Sequence, residues 1–131
     1  MKINSTIEGQ EHFAWMPLDN AAKIYPAVQS KEFTIVFRIS AVLHEPVRYF
    51  CLQQALQKTV SRFPYFRVTL KKGFFWYYLE HVEKSLSPVA DLHGYCRSFF
   101  YQQEKDPLLF RIVVIRNILS VEFSHILTDG T

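Results

Sequence analysis

Two apolar runs separated by two polar residues constrain this chain most. Residues 108–115 (Leu-Leu-Phe-Arg-Ile-Val-Val-Ile) and 118–124 (Ile-Leu-Ser-Val-Glu-Phe-Ser) flank Arg116-Asn117. Runs of that length, rich in β-branched and aromatic residues and joined by a two-residue polar step, predict a β-hairpin. Asp106-Pro107 leads into the first strand. Residues 33–43 predict a third strand, with Phe33, Ile35, Phe37 and Ile39 on one face and Thr34, Arg38 and Ser40 on the other. Residues 13–18 suggest a further short strand, closed by Pro17-Leu18-Asp19-Asn20, and Pro26 argues against a long helix over 21–28.

A helix is expected to open at His44-Glu45-Pro46 and to stop at Pro64. Val47, Phe50, Cys51, Ala55, Leu56, Thr59, Val60 and Phe63 follow its period. Residues 66–70 and 74–79 read as a second hairpin through Lys71-Lys72-Gly73, with Gly73 free to take a positive φ. Residues 88–94 read as loop and 95–104 as a short helix. The order strand, helix, hairpin, short helix, hairpin predicts an α/β chain, a mixed sheet with helices packed on it. Residues 1–12 form a polar lead and 13–131 one domain.

Apolar residues make up 49% of the chain, with 12 Phe and 7 Tyr, enough for a real core. The net charge of +3 comes from 15 basic and 12 acidic residues that are interleaved, and the basic pair Lys71-Lys72 sits in a turn. That pattern lacks the concentrated basic patch that phosphate binding needs, so no nucleic-acid partner is expected. The aromatic run 74–78 reads as core packing rather than a base-stacking platform, and Trp15 and Trp76 as packing residues. Cys51 and Cys96 have no metal-ligand spacing and read as free, small hydrophobes in helical stretches. His12, His44, His81 and His93 have none either and read as surface or capping residues, so no metal is expected. No run approaches membrane-spanning length and the first ten residues carry no signal-peptide pattern; a cytoplasmic location is the default expectation.

The chemistry gathers at His125-Ile126-Leu127-Thr128-Asp129-Gly130. A histidine at the tip of a buried strand is held on a rigid element, as a general base requires, and its near-neutral ordinary pKa lets it take and return a proton. The spacing His-x-x-x-Asp-Gly alone leaves a structural and a catalytic histidine both open.

These residues, with the stretches 106–114 and 118–124 before them, resemble the N-terminal half of the coenzyme A-dependent acyltransferase superfamily, which includes chloramphenicol acetyltransferase and condensation domains. Residues 56–67 resemble the helix and strand start before the first hairpin of such proteins, and 17–26 the opening of bacterial alcohol acetyltransferase-like members. The resemblance implies one half of a two-lobed fold. It implies His125 as general base toward an alcohol or amine acceptor, with an acyl-coenzyme A, acetyl-coenzyme A foremost, as co-substrate and no permanently bound cofactor. It implies a structural role for Asp129 in a salt bridge, with Arg67 as partner and Arg38 and Arg62 as competitors, and a compact turn at Gly130. Ser124 stands where several relatives have a second histidine.

Nothing in the sequence matches the late Asp-Phe-Gly-Trp-Gly motif of the family's second half. The expectation is therefore a domain truncated just after the motif and lacking its C-terminal lobe, inactive alone and prone to self-association through the uncovered face. The alternative is a noncatalytic binding or interaction module that keeps the half-fold.

Overall fold

The computed structural model describes residues 15–28, 34–91, 94, 96, 97, 99 and 105–128. They form a mixed α/β fold with two sheets. Its centre is the hairpin of β6 (Phe110–Ile115) and β7 (Ile118–Ser124), which turns at Arg116-Asn117 with Arg116 at φ 53°. The strand β2 (Val36–Val42) pairs antiparallel with the other edge of β7. Phe37 and Ile39 share one face, and Arg38 and Ser40 the other, as the alternation predicts. The short strand β5 (Val89–Ala90) adds parallel to β6, where the sequence predicts only loop. The order of this sheet is β2-β7-β6-β5.

The second sheet has the order β1-β4-β3. Strand β1 (Trp15–Pro17) lies at its edge, where Pro17 needs no ladder donor. Strands β3 (Val68–Lys72) and β4 (Tyr77–His81) form its hairpin. The turn is longer than the sequence suggests. The backbone N–H of Gly73 donates to the carbonyl of Trp76 at 2.7 Å, which closes a turn over 73–76 and places Phe74, Phe75 and Trp76 outside the ladder. These aromatics are therefore not core: Phe74 is 89%, Phe75 82% and Trp76 62% exposed, and Trp15 lies exposed with its ring edge-on to Tyr78. Gly73 does not use a positive φ. A Cβ there would stand 2.9 Å from the Trp76 carbonyl oxygen, so the tight approach is what requires glycine.

The helix α2 (Tyr49–Arg62) starts later than expected. The Val47 N–H donates to the Arg116 carbonyl at 2.9 Å, and the Leu43 N–H to the Asn117 carbonyl at 2.8 Å. Residues 43–47 are thus fastened to the β6–β7 turn, and Pro46 lies before the helix rather than in its first turn. The buried stripe is Leu56 and Val60 with Leu52 beside them, spaced by four. Phe50, Cys51 and Phe63, expected on the packed face, are exposed. A 3-10 turn, Pro64–Phe66, then leads into β3. The other helix, α1 (Tyr25–Val28), is one turn long.

One core joins both sheets and α2: Leu56 and Val60 meet Val68, Leu79, Leu109, Phe110 and Ile112. Most of the helix expected over 95–104 lies outside the described residues; Cys96, Arg97 and Phe99, which are described, are not helical. Among the described residues no helix is long and apolar enough to cross a membrane.

Candidate active site

Register builds the site. Phe37, Phe123 and Phe110 stand opposite one another across β2, β7 and β6. Their rings stack along the sheet, with centroids 5.5 Å apart for Phe37–Phe123 and 6.2 Å for Phe110–Phe123. Phe66 closes the row, edge-on to Phe110 at 5.8 Å. The next residue of β7's line on this face is His125, two beyond Phe123. Its backbone N–H donates to the Ile35 carbonyl at 2.9 Å, so the ladder runs one step past the strand's end and fixes where the imidazole leaves the chain.

The turn after His125 is equally tied. The Ile126 N–H donates to the Ser124 hydroxyl at 3.2 Å, and the Leu127 N–H to the Ser124 carbonyl at 2.9 Å. The Tyr65 hydroxyl donates to the Leu127 carbonyl at 2.9 Å. Ser124, Ile126 and Leu127 are all buried. Burial, and then the negative charge of Asp19, push the Tyr65 phenol above its ordinary pKa. Tyr65 stays a neutral donor to the turn.

The imidazole is half-buried and touches two rings. Phe37 lies 4.8 Å away, tilted by 43°, and Tyr25 lies 5.7 Å away, stacked at 30°. The Nδ1 atom is buried and has no hydrogen-bond partner among the described residues. Asp129 and Gly130 lie outside the described residues, and with them the expected Arg67–Asp129 salt bridge. Arg67 Nη1 meets Glu83 Oε2 at 3.0 Å, while its buried Nε has no partner. Arg38, a competitor for Asp129, is engaged elsewhere, and Arg62 ends α2 exposed.

On the opposite face, one residue away, the sequence reading missed a second constellation. Arg38, Glu122 and Arg111 stand opposite one another across the same three strands. Glu122 is almost wholly buried. It accepts from Arg38 Nε at 2.9 Å and Nη2 at 2.5 Å through one oxygen, and from Arg111 Nε through the other. Arg38 Nη1 also reaches Asp91 at 2.7 Å. Burial pulls the Arg38 pKa down, but its bonds to Glu122 and Asp91 outweigh that and hold it above its ordinary value. Counting outward from the two-residue turn at 116–117 sets Arg111 opposite Glu122, so this pairing is legible in the sequence.

These charges border a cavity of about 350 Å³ at the β5–β6 edge, which Lys84, Arg97 and Phe99 also line. His125 does not line it. The cavity and the candidate base are separate features. Cys51 and Cys96 are both free thiols, and no cluster of three metal-ligating side chains occurs among the described residues. No protein-family model and no curated protein matches the chain.

Proposed function

We propose that this chain is the histidine-bearing lobe of a two-lobed, coenzyme A-dependent acyltransferase, acting in the cytoplasm on an alcohol or amine. The observation that carries the reading is the setting of His125: a half-buried imidazole at the end of a central strand, on a backbone fixed by the bond to Ile35 and by the bonds of the following turn to Ser124 and Tyr65. A general base needs that restraint, because misplacement by about 1 Å can cost about a hundredfold in rate.

In the proposed reaction His125 takes the proton of the acceptor O–H or N–H as its oxygen or nitrogen attacks the thioester carbonyl. The C–S bond then breaks, and the imidazolium returns the proton to the departing coenzyme A sulfur. Arg67 and Asp129 would brace the motif turn without touching substrate. The second lobe would close the site and supply oxyanion donors, so the 131-residue chain alone is expected to be inactive.

The exposed trio Phe74, Phe75 and Trp76 favours a second reading, a noncatalytic interaction module. An acyl-transfer assay on the longest product of the encoding locus decides between the two. With acetyl-coenzyme A and a panel of alcohols and amines, His125→Ala should lower transfer about 10²- to 10⁴-fold with folding retained. Absence of transfer in folded wild type and variant alike would reject acyl transfer in favour of the interaction module.

A further inference from the structure

A histidine that acts as a base is ordinarily oriented by a hydrogen bond to its second nitrogen. Among the described residues no such bond is made: Nδ1 is buried without a partner there. The backbone bond to Ile35 fixes the Cα of His125 but leaves the side-chain torsions free. The only ring contacts described for the imidazole are Phe37, on the sheet beneath it, and Tyr25, stacked at 30° with centroids 5.7 Å apart.

Tyr25 stands on a braced support. The Asp19 carboxylate accepts from the Ala22 N–H at 2.7 Å, and the Lys23 N–H donates to the Asp19 carbonyl at 3.2 Å. That is the side-chain cap of a tight turn. Leu18 and Ala22 anchor the turn in the core. The turn runs directly into α1, whose first residue is Tyr25. The segment 18–25 therefore carries one aromatic ring to the imidazole from outside the sheet. Phe37 alone touches one side and leaves the ring free to swing away from it.

Resting on the acyl-transfer reading, we propose that Tyr25 is a positioning residue, whose ring clamps the His125 imidazole against Phe37 and sets its angle by contact. The clamp acts through ring area and angle, so the Tyr25 hydroxyl is dispensable.

The test uses the longest product of the encoding locus, labelled with ¹³C at histidine Cε1, as wild type, Tyr25→Phe and Tyr25→Leu. The His125 resonance is assigned by its loss in His125→Ala. Removing the ring should broaden or split that resonance and lower kcat about tenfold, with KM within about twofold. Tyr25→Phe should restore both a single resonance and wild-type kcat. Tyr25→Met replaces Tyr25→Leu if the latter loses the wild-type circular dichroism spectrum. An unchanged resonance in the ring-less variant overturns the proposal, as does a loss in Tyr25→Phe equal to that in Tyr25→Leu. If wild type transfers no acyl group, the acyl-transfer reading fails, and the resonance still decides whether Tyr25 orients His125.

Discussion

Two neighbouring rungs of one sheet solve opposite problems. The rung Arg38–Glu122–Arg111 buries charge and satisfies it, with both carboxylate oxygens taken. The rung Phe37–Phe123–Phe110, one residue along and on the other face, buries rings. At its end lies an imidazole with one buried nitrogen that has no partner among the described residues. The first rung is directional and fixes register, since a one-residue slip would turn Glu122 toward the rings. The second tolerates changes of shape and holds its histidine by contact area. Precision of pairing and the proposed proton chemistry are thus divided between the faces of the same strands.

The largest expected effect breaks the charged rung. Glu122→Ala leaves two guanidinium groups facing each other without their carboxylate and should destabilise the fold by about 3–5 kcal/mol, read from denaturant midpoints. Phe123→Leu, in the adjacent rung, should cost no more than about 1.5 kcal/mol, because a nearby hydrophobic shape refills the space. Equal losses at the two sites would erase the distinction between the rungs.

Tyr65→Phe should cost about 1 kcal/mol by stranding the Leu127 carbonyl. It also has a pH signature. The folded-state pKa of Tyr65 lies above its ordinary value of 10.0, so its contribution is complete below that value and is lost as pH rises through the folded pKa. The wild-type denaturant midpoint should fall above about pH 10, more steeply than that of Tyr65→Phe. The smallest effect sharpens the comparison. Replacing the whole charged cluster, Arg38→Met with Glu122→Leu, Arg111→Met and Asp91→Asn, should leave stability within about 1 kcal/mol of wild type, because no charge of the cluster loses its partner. A loss as large as that of Glu122→Ala would mean that the cluster stabilises the fold outright.

The strands of this sheet were largely legible from residue pattern. Residues 118–124 were read as a strand with the bounds that β7 has, and β2 lies within the stretch read as 33–43. The departures have physical causes. The start of α2 moved because Arg116 and Asn117 bind the backbone of residues 43–47, which periodicity cannot reveal. The aromatic run 74–78 misled because hydrophobicity predicted burial, whereas one bond from Gly73 to Trp76 makes most of it a turn. Strand β5, two residues long, carries no pattern at all. The position of His125 at the end of β7 was legible from the apolar run before it. The approach of Tyr25 was not, since nothing local links it to a histidine a hundred positions on.

The pairing of β2 with β7 also sets a schedule. Arg38 and Glu122 are 84 residues apart. At ordinary rates of synthesis, β2 leaves the ribosome roughly 5–15 s before the strand that will cover its edge. During that interval Val36–Val42 is a β-prone segment with no ladder partner on β7, the kind that recruits other chains. Arg38 sits near its middle. Before Glu122 arrives, that single charge interrupts an otherwise uncharged strand and discourages intermolecular stacking, so the residue that later locks the register first guards the nascent chain.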